Sequence, residues 1–153
     1  MPASEIVRCV YLETLDRFGE PDHVITFDDP PPPDDRWPAR IDVLIWEDDS
    51  DVDITSFATV GMSDRPMANV DHRCEVHFAI RRPAGEIDLN AVAFFCANIA
   101  TYPFANETFF DWAQAISSPG DIPCFPNCTA IIFHPAFVED GWDKIQFGDQ
   151  EIL

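Results

Sequence analysis

Two cysteines and one histidine near the end of the chain have residue types and spacing that could bind a metal ion or supply a nucleophile. Cys124 and Cys128 are four positions apart, and His134 follows in the next apolar segment. Zinc accepts such side chains, but a structural zinc site needs four ligands and the sequence offers no second close pair. A cysteine nucleophile would use His134 as its base. The other interpretation is that these are buried thiols beside a strand, so we expect no metal and no cofactor.

The tripeptide Ser63-Asp64-Arg65 has the composition of a catalytic cluster. A serine nucleophile requires a histidine base, and the nearest histidine in the sequence is His72. An ion pair between the aspartate and the arginine, together with local turn bonds, explains the tripeptide more simply. A partner-contact surface is the third interpretation. Gly61, just before it, permits a positive φ or a close approach of two chain segments, so the pattern predicts that a buried strand leaves its sheet through a constrained turn.

The chain is strongly acidic, with 28 aspartate and glutamate residues against 9 lysine and arginine residues and a net charge of −19. Such a surface repels nucleic acid and anionic lipid, because both bind proteins through basic groups. It would attract a basic protein and accelerate their encounter at low salt, although adaptation to salt would produce the same composition. The candidate acidic contact face consists of loop aspartates: Asp28, Asp29, Asp34, Asp35, Asp48, Asp49 and Asp51.

No apolar run in the sequence reaches the ~18 residues that a membrane-spanning helix needs. The N-terminal segment also lacks the basic start and apolar core of a signal peptide. These two features predict a cytoplasmic protein. In that compartment the five cysteines are expected to be reduced thiols rather than a disulfide framework.

Hydrophobic periodicity predicts an α+β fold, with a mixed, largely antiparallel sheet and helices packed on it in a single domain. Ser4 is a candidate N-cap for the first helix, and Pro103 is expected to end the second. Asn106 could then cap a third. The predicted helices span residues 3–18, 87–102 and 107–116, and the predicted strands span 23–27, 40–47, 54–60, 73–82, 129–134, 144–147 and 151–153.

Three of these strands carry further expectations. Residues 40–47 are apolar on both faces at their centre, which indicates a strand covered on two sides. Residues 73–82 alternate as a half-exposed antiparallel strand, with Glu75 and His77 among the residues of its polar face. Residues 129–134 are continuously apolar, so we expect a buried strand there.

One segment resembles the hallmark of Suppressor of fused domain proteins: Gly61-Met62-Ser63-Asp64-Arg65-Pro66-Met67. The likeness covers roughly residues 20–153 and is to the bacterial branch of the family, which stands alone as one domain. The hallmark is the specific part, and the other matching pieces are short. They are Ile41-Asp42-Val43, Arg73-Cys74-Glu75-Val76, Ala100-Thr101-Tyr102-Pro103-Phe104, Ile122-Pro123, Phe133-His134-Pro135 and Glu139-Asp140-Gly141.

The resemblance implies a protein-binding domain that is not an enzyme. In animals the family protein sequesters zinc-finger transcription factors and takes a peptide as an added strand between its two domains, of which this chain matches only the first. Bacterial relatives include immunity proteins that neutralise toxins, and an acidic surface suits a basic toxin. The resulting hypothesis is an immunity-type protein that binds a basic toxin, with the hallmark turn as a candidate contact. The alternative is a metal- or thiol-dependent enzyme centred on Cys124, Cys128 and His134.

The resemblance also bears on the extent of the domain. We expect one domain over residues 1–153, and related domains continue from the strand at Leu153 into a Pro-containing segment and a final helix. The resemblance therefore implies either a domain truncated at its C-terminus or a sheet that a partner completes. Oligomeric state does not follow from the sequence.

Overall fold

A computed structural model describes residues 2–47, 53–135 and 142–153. The α+β fold predicted from the sequence is confirmed. Its centre is a four-stranded antiparallel sheet with the strand order β1-β2-β3-β4, and two further pairs, β5-β6 and β7-β8, are also antiparallel. The helices are α1 (Glu5–Phe18) and α2 (Leu89–Ala105); the strands are β1 (His23–Phe27), β2 (Ile41–Glu47), β3 (Thr55–Val60), β4 (His77–Ile80), β5 (Ala115–Ser117), β6 (Ala130–Ile132), β7 (Ile145–Phe147) and β8 (Gln150–Ile152).

The first helix begins and ends as its sequence predicts. The Ser4 side chain accepts a hydrogen bond from the Val7 N–H at 3.5 Å, which satisfies one of the donors that a helix start leaves open. At the other end Gly19 has a φ of 80°, and its N–H donates to the Leu15 carbonyl at 2.7 Å. A positive φ is inexpensive only for glycine, so Gly19 ends the helix.

The central sheet is covered on both faces, as the apolar pattern of β2 predicts. Val43 and Ile45 belong to the cluster that contains the buried face of α2, whereas Leu44 packs with Val10 of α1. Because successive side chains of a strand point to opposite faces, α2 and α1 lie on opposite sides of the sheet. The β7-β8 hairpin shares the α1 side through Ile145.

The last strand makes a parallel pairing with the residues that precede β4. The Arg73 N–H donates to the Glu151 carbonyl at 2.8 Å, and the Leu153 N–H donates to the Arg73 carbonyl at 2.9 Å. The Glu75 N–H then donates to the Leu153 carbonyl at 3.0 Å. Residues 73–75 therefore run parallel to the end of β8, just before β4 begins.

Two helix predictions were wrong. Residues 107–116 form turns followed by β5 rather than a third helix. Pro103 lies inside α2 instead of ending it. Proline removes one N–H donor from the helix, and α2 tolerates that loss because Pro103 stands only two residues before its last residue, Ala105. Asn106 is accordingly the C-cap of α2, and its N–H donates to the Tyr102 carbonyl at 3.0 Å.

Two strand predictions need correction. The regular ladder in 73–82 is limited to β4, and Glu75 and His77 on its supposedly polar face are half-buried. The predicted buried strand near residue 130 is β6, which among the described residues pairs with β5 alone and leaves the Ile132 side chain 69% exposed. In the parts of the chain that the structure describes, neither α-helix is long and apolar enough to cross a membrane.

Candidate functional site

The hallmark turn of residues 61–67 leaves β3 as a tight, buried corner. Gly61 has a φ of 131°, and a Cβ at this position would overlap the carbonyl oxygen of Arg40. Both conditions exclude a side chain there. Met62–Asp64 then form a single 3-10 turn, with the Asp64 N–H donating to the Gly61 carbonyl at 3.1 Å. The constrained turn predicted from the sequence is present.

The corner is held by one carboxylate, Glu75. Its Oε1 accepts hydrogen bonds from the Gly61 N–H at 2.8 Å, the Ser63 N–H at 2.9 Å and the Ser63 hydroxyl at 2.7 Å. Its Oε2 accepts from the Thr59 hydroxyl at 2.7 Å and from the Met62 N–H at 3.3 Å. Glu75 therefore supplies acceptors for consecutive N–H groups of a turn that has few backbone partners of its own.

Burial and hydrogen bonding shift the pKa of this carboxylate in opposite directions. Burial raises the pKa of Glu75, and the bonds donated by Ser63, Thr59 and Gly61 partly offset that effect. Arg73 supports the same corner, since its Nη1 donates to the Ser63 carbonyl at 2.8 Å. Burial also lowers the pKa of the Arg73 guanidinium, while the charge of Asp64 opposes that shift.

The hallmark divides into a structural part and an accessible part. Gly61, Met62, Ser63 and Met67 are buried. Pro66 is exposed. Asp64 and Arg65 are half-buried, with 22% and 39% of their side chains exposed, respectively. The accessible residues of the hallmark are Asp64, Arg65 and Pro66.

The charged pair of the hallmark is local. The Arg65 Nε lies 4.0 Å from the Asp64 Oδ2, at the outer limit of an ion pair. Such a partly solvated pair contributes little to folding stability. The Arg65 Nε itself is buried, so only the exposed parts of these two side chains are available to a partner at little cost to the fold.

The acidic loop between β1 and β2 is partly neutralised. Asp34 binds Arg36 at 2.8 Å, and this hydrogen bond lowers the pKa of the Asp34 carboxyl. Arg40 pairs with Asp42 at 3.0 Å, which raises the Arg40 pKa. Residues 28–42 still contain five aspartates against two arginines. Among the described residues of the candidate acidic face, Asp28, Asp29 and Asp35 are exposed.

Residues 107–108 join the acidic loop to the hallmark turn. Arg36 reaches from the loop to Glu107 at 3.2 Å, and the Ala68 N–H, just after the hallmark, donates to the Thr108 carbonyl at 3.3 Å. At the other end of the loop the Arg40 carbonyl lies against Gly61. The two sequence-predicted contact regions therefore adjoin one another. The remaining predicted acidic residues, Asp48, Asp49 and Asp51, lie outside the described residues.

The Cys-His group of the enzyme alternative belongs to the segment after β5, and its histidine lines a small pocket together with Glu75. Cys124 is half-buried and Cys128 is exposed, and they flank a turn in which the Cys128 N–H donates to the Phe125 carbonyl at 3.1 Å. His134 is exposed, and its Nδ1 lies 2.9 Å from the Pro135 carbonyl oxygen. Among residues 2–47, 53–135 and 142–153, no group of three or more His, Cys, Asp or Glu side chains could hold a metal ion.

The likeness carried by residues 61–67 is confirmed by comparison with known families. A family model described as Suppressor of fused protein matches residues 38–152. The chain belongs to the Suppressor of fused family. No curated protein and no solved structure matches it significantly.

Sequence reasoning missed the residue that organises the Suppressor of fused hallmark. Glu75 lies in the alternating segment 73–82, and alternation assigned its side chain to a half-exposed face. The signal that could have identified it is the family-like piece Arg73-Cys74-Glu75-Val76, in which a carboxylate stands between two apolar residues. The same piece contains Arg73, the second side chain that holds the corner.

Proposed function

We propose that this chain is a non-catalytic, cytoplasmic protein-binding domain that binds and neutralises a basic toxin, in the manner of a bacterial immunity protein. The observation that carries the proposal is the junction of the acidic loop with the hallmark turn through Glu107 and Thr108. These contacts tie the acidic loop to the hallmark turn, and the proposed contact surface combines the exposed aspartates of the loop with the accessible residues of the hallmark. Membership of the Suppressor of fused family supports a protein as the partner.

The charge distribution supports a basic partner. The chain carries a net charge of −19, and a toxin that cleaves nucleic acid presents cationic groups where phosphates bind. Exposed carboxylates can occupy those positions and speed the encounter of the two proteins. Asp28, Asp29 and Asp35 are suited to this role because, among the described residues, no hydrogen bond or ion pair joins them to an arginine, unlike Asp34. The charge of Asp28 still acts on Arg40 and raises its pKa.

The experiment is capture of partners from the native extract on the immobilised chain, at low and at moderate salt. A captured protein is purified, its charge is determined, and its direct affinity is measured. Co-expression of the two proteins then shows whether the chain suppresses the partner's toxicity. We expect a basic, stoichiometric partner whose binding weakens steeply with salt.

Two charge-matched triple variants locate the contact. Replacing Asp28, Asp29 and Asp35 by asparagine removes three charges from the acidic loop, and we expect at least about tenfold weaker binding. The control removes the same charge from exposed positions on other elements, with Asp16, Asp121 and Asp149 replaced by asparagine. An equal loss of affinity in both variants would show that the partner responds to the overall negative charge and not to the acidic loop. A partner that is not basic, or whose toxicity is unchanged, would overturn the proposal.

A further inference from the structure

The two helices that cover the central sheet differ on their outer sides. The charged residues of α1 are all exposed, and they are Glu5, Arg8, Glu13, Asp16 and Arg17. None of the 17 residues of α2 is charged, although charged residues make up 24% of the chain. A surface helix ordinarily places charged side chains opposite its apolar face. The outer side of α2 is therefore an exception in this acidic chain.

The residues of α2 that reach solvent form one stripe. Phe94, Asn98 and Ala105 are exposed and Thr101 is half-buried, whereas most of the residues between them are buried. Positions three, four or seven residues apart lie on the same side of a helix. These four residues therefore form a single line of roughly 16 Å, at 1.5 Å per residue. We call this line the α2 stripe.

The large apolar member of the α2 stripe is Phe94, which leaves 58% of its surface exposed. Its ring packs against the ring of Phe27 in β1, with 6.1 Å between the ring centroids and 49° between the ring planes. Phe27 in turn packs against the main core. The fold therefore holds the Phe94 ring in place while most of it faces water. Aromatic side chains presented in this way often carry much of the binding energy of a protein interface.

The acidic loop between β1 and β2 is tied to the region of the α2 stripe at two points. The loop begins directly after Phe27, with the exposed residues Asp28 and Asp29. Farther along the loop, Arg36 contacts Glu107 at 3.2 Å, two residues beyond the last residue of α2. One contact therefore lies beside Phe94 and the other just past the C-terminal end of the helix. The negative charge of the loop borders an uncharged stripe that carries an exposed aromatic ring.

We propose that the α2 stripe, with Phe94 as its anchor, is a docking site for a basic partner protein that presents an apolar side chain surrounded by lysine or arginine. The apolar side chain covers the Phe94 ring and removes it from water. The surrounding cations meet the carboxylates of the acidic loop. An apolar centre with a charged rim is the usual anatomy of a protein interface. The inference rests on the proposed function for its basic partner and deepens it by naming the anchor of the contact.

Charge favours such a partner over a second copy of this chain. Each copy carries a net charge of −19 and an acidic loop beside the same stripe. A dimer formed through two α2 stripes would bring its two acidic loops close together, and like charges repel. A basic protein is attracted to the same surface instead.

The test uses a fluorescently labelled peptide of leucine and lysine with the pattern of an amphipathic helix, titrated with the whole chain and followed by anisotropy. This peptide presents apolar side chains flanked by cations. In a second peptide every leucine is replaced by serine, and in a third every lysine is replaced by glutamate. We expect saturable binding of the first peptide and at least about tenfold weaker binding of the other two. Amide shifts in NMR spectra should be concentrated in residues 91–105 and in the acidic loop.

Two variants of similar exposure locate the contact. Phe94→Ser removes the proposed anchor, and the control Leu12→Ser removes a side chain of α1 that is 62% exposed. Circular dichroism and the thermal midpoint verify that both variants fold. We expect Phe94→Ser to weaken binding of the first peptide at least about tenfold and Leu12→Ser to bind within about twofold of the parent chain. Asn98→Lys adds a positive charge to the stripe and should weaken binding as strongly as Phe94→Ser.

Several results would overturn the inference. Equal binding of the serine peptide, or an equal loss of affinity in Leu12→Ser, would show attraction of cations without a docking site on α2. A dimer of the parent chain that dissociates on Phe94→Ser would assign the stripe to a second copy.

The inference and the proposed function can fail separately. A toxin that Phe94→Ser binds and neutralises as well as the parent chain does would overturn the inference and leave the proposed function standing. Binding of the first peptide at Phe94 by a chain that neutralises no toxin would overturn the proposed function and leave the docking site standing.

Discussion

Glu75 accepts two hydrogen bonds from Ser63, one from its backbone N–H at 2.9 Å and one from its hydroxyl at 2.7 Å. Both bonds end on the same carboxylate oxygen, Oε1. This one oxygen therefore fixes the backbone path of Ser63 in the hallmark turn and also the rotamer of its side chain. Three further donors converge on the same carboxylate. The shape of the accessible part of the hallmark therefore depends on a residue outside it.

Glu75→Gln tests this dependence. A glutamine has one acceptor oxygen and directs its NH₂ group at donors, so several buried donors lose their acceptor. We expect the free energy of unfolding to fall by about 2–4 kcal/mol, measured by urea denaturation. Glu86→Gln, at an exposed glutamate, is the control and should change stability by less than about 0.5 kcal/mol. A loss of similar size in both variants would contradict the assigned role.

Gly61→Ala should be strongly destabilising. The residue combines a φ of 131° with an approach to the Arg40 carbonyl that leaves no room for a Cβ. We expect a loss of at least about 2 kcal/mol in the free energy of unfolding. Gly85→Ala is the matched control, since no atom lies within 4 Å of a Cβ built there. A Gly61→Ala protein as stable as the control would contradict the close approach.

Stability should decrease as the pH falls from about 6.5 towards 4 because of His77. Burial lowers the pKa of His77 to about 4. In this range the unfolded chain binds a proton on this histidine and the folded chain does not, so protonation favours unfolding by roughly 3 kcal/mol in total. Above pH 6.5 the contribution is constant, because both states are neutral.

His77→Gln isolates that contribution. Glu75 acts in the opposite direction, because a raised pKa in the folded state means that falling pH adds stability. The change of stability with pH in the parent chain therefore combines the contributions of His77 and Glu75. Denaturation midpoints of the parent chain and of His77→Gln, measured between pH 4 and 7, should differ in slope with the sign given above. Parallel curves would show that His77 titrates normally in the folded state.

The cysteines should react with a thiol reagent in an order set by burial. Cys128 is exposed, whereas burial raises the pKa of Cys74 and of Cys96 to about 12. Since the thiolate is the reactive form, neither buried thiol should react with Ellman's reagent until the chain unfolds. Cys128→Ser should remove the fast phase in the native protein, and all five cysteines of the parent chain should react in denaturant. A fast phase of unchanged amplitude after this substitution would contradict the exposure of Cys128.

The elements predicted correctly are those whose local chemistry and tertiary environment agree. Ser4 and Gly19 mark the ends of α1 with capping chemistry that needs no tertiary partner. β2 is apolar on both faces because a helix covers each face, so its amino-acid composition alone indicates that it is buried on two sides. In both α1 and β2, the residue types serve a single structural role, which makes that role readable from the sequence.

The failures occurred where backbone groups bond to distant residues. Residues 107–116 contain aromatics at helical spacing, but the Phe110 carbonyl accepts a bond from His72 and the Thr108 carbonyl accepts one from Ala68. These contacts hold the backbone in a series of turns that periodicity does not show. Glu75 was misassigned for the same reason, since its donors precede it by 12 to 16 residues.

The parallel pairing of residues 73–75 with the end of β8 also orders events during synthesis. β1 to β4 can form their antiparallel ladder from segments that follow one another along the chain, whereas residues 73–75 must wait for Glu151 and Leu153 to leave the ribosome. Until then, the strand edge and the apolar side chains around it face solvent, a state that invites aggregation. Until residues 151–153 have emerged, a nascent chain of this protein therefore exposes a strand edge to which other chains can pair, and its negative charge opposes such contacts.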